Sequence, residues 1–160
     1  MIEYPKYKKV LFCTDFSENS DYAFDYAFGI AKRDEGVLHI LHVRADITPL
    51  QETFLEKYLT SQQVKEIHEE NDKERDQQFK QRYLNKIKDK TKVQVTTRSG
   101  REDEEIIKFA VQERVDLIVI GKQGKTGLES TLFGRVAEKV VRNSPIPVFM
   151  VPRKENSGRA

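Results

Sequence analysis

The chain has 160 residues, enough for one domain with a sizeable core. Charged residues make up 34%, hydrophobic ones 38%, and the net charge is only +2, which speaks against wholesale nucleic-acid binding. The single cysteine, Cys13, excludes an intrachain disulfide and a cysteine metal cluster. No apolar run approaches the ~20 residues a bilayer span needs, and the polar stretch 1–9 has no apolar signal-peptide core, so a reducing cytoplasm is the expected setting.

In chain order, Val10, Leu11, Phe12 and Cys13 form a short apolar strand that ends in the cap-rich turn Thr14-Asp15-Phe16-Ser17. Ala23, Ala27, Ile30 and Ala31 recur at helical spacing, which predicts an amphipathic helix from Asn19 to about Lys32. Val37 to Val43 is a second strand, giving a βαβ unit with a right-handed crossover. Thr48-Pro49 is a helix-start signal, and Phe54, Leu55, Tyr58 and Leu59 suit a short helix packed on the body. Ser61 to Lys90 reads as one long charged helix, acidic in its first half and basic in its second. Glu69–Lys73 and Asp76–Lys80 are its expected ion pairs, and Val64, Ile67, Phe79, Tyr83, Leu84 and Ile87 its thin apolar seam. A solvated helix packed by one edge is the reading that charge pattern favours.

Val93 to Arg98 is a strand, followed by a helix that is apolar at Ile106, Ile107, Ala110 and Val111. Leu117 to Ile120 is a strand of the kind buried on both faces. Gly121, Gly124 and Gly127 follow, then a helix with Leu132, Phe133, Val136, Ala137, Val140 and Val141 on one side, and last the strand Val148 to Val151. Strands alternating with helices predict an α/β fold with one parallel, helix-covered sheet. The domain is expected to span 1–152, with 153–160 a flexible tail.

A glycine loop between a buried strand and a helix start is suited to an anion, because backbone N–H groups approach it and the helix dipole favours negative charge. Lys122 and Lys125 in the loop favour the same chemistry. It is not a Walker loop, whose upstream glycine would fall on Val119, nor a dinucleotide fingerprint, which would need glycine where Gln123 stands. Asp15 at the end of the first strand lacks the acidic neighbours of a phospho-receiver. Cys13, His39 and His42 are expected to be packing residues rather than catalytic ones. No spacing of His, Cys, Asp or Glu resembles a metal-ligand set, and no base with an orienting partner stands out.

The loop does follow the pattern G-x2-G-x9-G over Gly121, Gly124 and Gly134, which resembles the universal stress protein family. The segments VLFCTDFSENS at 10–20, LHV at 41–43, SGREDEEI at 99–106 and the whole of 115–151 carry the resemblance, in order and over almost the whole chain. It implies a Rossmann-like or flavodoxin-like sheet of five parallel strands in the order 3-2-1-4-5, with helices on both faces. Many members bind ATP, some bind other adenine nucleotides, and others bind none. Carried across, Asp15 with the backbone of Cys13 and Thr14 lies at the base and ribose end, and the backbone of Val43 meets adenine. Gly121, Gly124 and Gly134, with Lys125 and the backbone of Arg135 and Val136, hold the phosphates. In that strand order the topological switch point lies between strands one and four, where Asp15 and Gly121 stand.

Arg135 departs from the family, which usually has Ser or Thr after the last glycine. It either adds a charge-assisted contact to the phosphates or its bulk closes part of the site. Magnesium or manganese is expected only with the nucleotide, and hydrolysis at most slow. The apolar last strand, Val148 to Val151, is expected at a sheet edge, where the family pairs it across a two-fold axis into a homodimer. The implied role is a stress-response sensor or regulator with a protein partner still to be identified, and with no nucleic acid or membrane. The alternative is a member that binds no nucleotide and works as an interaction or chaperone-like scaffold.

Overall fold

The computed structural model describes residues 1–123 and 134–153. Five parallel strands form one sheet: β1 (Lys9–Cys13), β2 (Val37–Arg44), β3 (Val93–Ser99), β4 (Leu117–Gly121) and β5 (Val148–Val151), in the order β3-β2-β1-β4-β5. β1 is central, with Phe12 level with Ile40 on one side and Val119 on the other. Its continuous apolar run follows from burial on both faces. Val10 and Phe12 point into one core with Leu38, Ile40 and Val119, whereas Leu11 and Cys13 point into the other with Leu41, Val43, Ile118 and Ile120.

α1 (Glu18–Arg33) covers the first face through Ala23, Phe24, Ala27 and Ala31, and Ser17 caps its start by accepting from the Ser20 N–H at 3.2 Å. α4 (Glu102–Gln112) and α5 (Arg135–Asn143) cover the second face with Ile106, Phe109, Ala110, Ala137 and Val140. The return from α1 to β2 is tight. A Cβ on Gly36 would sit 2.5 Å from the Tyr7 carbonyl oxygen, so only glycine fits there.

Between β2 and β3 the chain makes α2 (Pro49–Tyr58) and α3 (Ser61–Arg82). Both open on complete capping boxes, Thr48 with Gln51 and Thr60 with Gln63. α2 forms as expected but buries none of its residues, and Leu50, Phe54 and Tyr58, one helical turn apart in sequence, face solvent. α3 stops at Arg82 instead of running to Lys90. Tyr83 leaves the helix at φ −124°, ψ −59° because its side chain is completely buried against Phe12 and Phe24, and a 3-10 turn, Leu84–Lys86, lets Ile87 reach the core as well. The ion pairs along α3 are Lys65–Glu69 and Arg75–Asp72, rather than the two expected from spacing. Among the described residues no helix is long and apolar enough to cross a membrane. The expected tail from 154 onward, and Leu132 and Phe133 of the expected last helix, lie outside the described residues.

Candidate functional site at the carboxyl ends of β1 and β4

The carboxyl ends of β1, β2 and β4 lie side by side, since Cys13 is level with Leu41 on β2 and with Ile120 on β4. The Thr14 N–H extends the pairing by donating to the Leu41 carbonyl at 2.9 Å. This is the switch point of the sheet: the chain leaves β1 into α1 on one face and leaves β4 toward α5 on the other.

The β1 turn is held rigidly. Asp15 Oδ1 accepts from the Ser17 N–H at 3.0 Å and from the Ser20 hydroxyl at 2.6 Å, which ties the carboxylate to the start of α1. Phe16 takes φ 61°, a strained conformation for a residue with a side chain, and its ring lies 4.6 Å from that of His42 and 5.0 Å from that of Phe79. His42 Nδ1 is 2.9 Å from the Thr14 carbonyl oxygen, which can only accept, so Nδ1 carries the proton. A cleft of about 360 Å³ separates Phe16 and His42 from Arg75, Gln78 and Arg82 on α3.

The β4 end is built from backbone. Gly121 is buried against α1, and a Cβ there would come within 3.3 Å of the Asn19 carbonyl oxygen, so glycine keeps the strand end close to the β1 turn. The Lys122 N–H donates to the Val151 carbonyl at 2.7 Å, and the Gly134 N–H donates to the Lys122 carbonyl at 2.7 Å. The second bond seats the first turn of α5 directly at the end of β4. Gly134 is the N-cap of α5 and has no side chain with which to cap it, so among the described residues no N-cap side chain takes up the first backbone N–H groups. Arg135 is exposed and Val136 half-buried.

The structure therefore gathers Cys13, Thr14, Asp15, Val43, Gly121, Gly134, Arg135 and Val136 at one end of the sheet. Gly124 and Lys125 lie outside the described residues. The side chains of Cys13 and Val43 belong to the core on the α4 and α5 side, leaving their backbone for the site. Burial pushes the Cys13 thiol far above its ordinary range, so it is no thiolate nucleophile at neutral pH. His39 is buried beside Phe109 on α4. Among the described residues no three His, Cys, Asp or Glu side chains are grouped to hold a metal ion.

One member of this neighbourhood escaped the sequence. The Tyr83 hydroxyl lies 2.6 Å from Thr14 Oγ1 and donates to Asp21 Oδ1 at 2.9 Å, while Arg82 pairs with Asp21 Oδ2 at 2.5 Å. The available signal was a tyrosine at a core position of a helical seam, since a buried phenol needs a hydrogen-bond partner.

Residues 6–152 match the sequence profile of the Universal stress protein family. Universal stress protein MJ0531 of Methanocaldococcus jannaschii is 35% identical over 153 residues, covering 93% of this chain and 85% of its own. Universal stress protein MJ0577 of the same organism is 34% identical over 161 residues, 94% of this chain and 98% of its own. The solved structure of MJ0577 is similar to this one with a TM-score of 0.72 at 31% identity, over 94% of this chain and 99% of that one. A universal stress protein solved in complex with cAMP shares the fold, with a TM-score of 0.56 at 23% identity over 92% of this chain and 98% of that one.

Proposed function

The chain belongs to the universal stress protein family, and we propose that it is an ATP-type adenine-nucleotide-binding sensor or regulator of the stress response. The observation that carries this is the seating of the α5 N-terminus at the end of β4 by the Gly134–Lys122 hydrogen bond, beside the β1 turn. Helix N–H groups without a side-chain cap and a positive dipole end suit phosphate oxygens there. That a related fold has been solved with cAMP supports an adenine nucleotide as the class of ligand.

Gly121, Gly124, Lys125 and Gly134, with the backbone N–H groups of Arg135 and Val136, would hold the phosphates. Asp15 and the backbone of Cys13 and Thr14 would take the ribose end, and the backbone of Val43 the base. A divalent cation would enter with the phosphates. These residues would bind and orient the nucleotide, with hydrolysis at most slow. Binding at this end of the sheet would change the surface offered to a partner. We place the protein in the cytoplasm as a homodimer through β5, a sheet edge on which Phe149 is 37% exposed.

Thermal unfolding with millimolar ATP, AMP and cAMP tests the reading. At least one should raise the midpoint by several degrees, and Gly124→Val should abolish the rise. No shift with any of the three would overturn it. That result would favour the second reading, an interaction scaffold, for which the exposed stripe of Leu50, Phe54 and Tyr58 is the supporting observation.

A further inference from the structure

We propose that Tyr83 is a positioning residue for the nucleotide site: its hydroxyl, bonded between Thr14 and Asp21, sets the turn that presents Asp15. The inference rests on the nucleotide reading above, and goes beyond it by bringing the end of α3 into the site.

The direction of each hydrogen bond follows from proton counting. The Asp21 carboxylate only accepts, so the single Tyr83 proton goes to Asp21 Oδ1 at 2.9 Å. Tyr83 Oη must then accept from the Thr14 hydroxyl at 2.6 Å. Thr14 Oγ1 in turn accepts from the Phe16 N–H at 2.9 Å. The result is one directed chain from the Phe16 amide through Thr14 and Tyr83 to Asp21, with Arg82 anchoring the far end at 2.5 Å. Arg82 is itself braced, its Nε donating to Gln78 Oε1 at 2.6 Å. Burial pushes the Tyr83 phenol far above its ordinary range, so the donor keeps its proton at every working pH.

Asp15 lies between the two residues this chain fixes. Phe16 is held at φ 61°, and the Thr14 hydroxyl that holds it there is oriented by Tyr83. Without the phenol oxygen, Thr14 loses its acceptor, its hydroxyl is free to turn away from the Phe16 amide, and the strained turn can relax. A purely structural tyrosine would need only its ring, which packs at 5.2 Å on Phe12 and 4.8 Å on Phe24 and survives in Tyr83→Phe.

The test measures ATP and adenosine affinity by calorimetry on the full chain, wild type and Tyr83→Phe, well below both melting points. Amide NMR spectra of both proteins without ligand accompany it. Tyr83→Phe should weaken ATP and adenosine by the same factor, about tenfold for one lost buried hydrogen bond. The equality reports an effect at the Asp15 end rather than at the phosphates. The amide signals of Asp15 and Phe16 should shift in the ligand-free protein. Wild-type affinity in Tyr83→Phe with those signals unmoved, or a loss confined to ATP, overturns the inference while leaving the nucleotide reading standing. Wild-type protein that binds neither ligand sinks both. Should Tyr83→Phe fail to fold, Asp21→Ala removes the acceptor from the partly exposed end of the chain of bonds, and an unchanged affinity there overturns the inference.

Discussion

The sheet body and the arm formed by α2 and most of α3 are built on opposite principles. In the body, Val10, Leu11 and Phe12 have no exposed surface, and α1, α4 and α5 exist as helices because each buries an apolar side. In the arm, Leu50 is 80%, Phe54 58% and Tyr58 61% exposed, and Phe79, in the last turn of α3, is the buried residue of the pair of helices. What holds the arm is local: two capping boxes, and short-range ion pairs such as Arg75–Asp72 at 2.6 Å. Tertiary burial and capping are alternative sources of helix stability, and this chain uses one in each region.

That contrast is tested most severely by one substitution in each region, a core truncation in the body and the loss of a cap in the arm. Phe12→Ala should cost about 4 kcal/mol and lower the melting midpoint by roughly 10 °C, because Phe12 is fully buried between Phe24 and Tyr83. A calorimetric scan decides it. Thr60→Ala removes the α3 cap and should cost about 1 kcal/mol of local helix stability. Its effect should appear as faster amide exchange at 61–64, with little change in the global midpoint; an equal loss of both would show the arm to be cooperative with the body.

The next effect separates the regions by pH. Burial lowers the pKa of His39 from 6.5, so the unfolded chain takes up a proton there before the folded one. Stability should therefore fall as pH drops below about 6.5, and the slope of urea midpoints between pH 7 and 5 should flatten in His39→Leu. The smallest effect is expected from Phe54→Ala, under about 0.5 kcal/mol. A larger value from denaturant titration would mean that the stripe is covered in solution, and its concentration dependence would tell whether a second copy covers it.

Much of this was legible in the sequence, for identifiable reasons. β1 and β4 are read from uninterrupted apolar runs, since a strand buried on both faces needs no alternation. The meeting of Asp15 and Gly121 at one end of the sheet follows from the strand order that the family resemblance implies, together with the rule that the switch point lies at the carboxyl ends. The end of α3 was not legible. Tyr83, Leu84 and Ile87 keep helical spacing through a 3-10 turn, so periodicity hides a break that the pull of the Tyr83 ring into the core imposes. The outward stripe on α2 was equally hidden, because an amphipathic pattern says that a helix has an apolar side without saying what lies against it. The bond between Thr14 and Tyr83 spans 69 residues, and no local pattern encodes a contact at that range.

The place of β1 at the centre of the sheet has a consequence for how the protein is made. One edge of β1 is covered by β2 almost at once, but the other waits for β4, with Val10 paired to Leu117 and the Lys8 and Lys9 amides tied to the Asp116 carboxylate 108 and 107 residues away. At ~5–20 residues per second, a ribosome leaves that edge unpaired for roughly 5–20 s. For that interval the apolar run Val10-Leu11-Phe12, which has no exposed surface in the folded protein, is an open template, and a nascent chain that finds another copy of itself first is lost to aggregation before β4 has been synthesised.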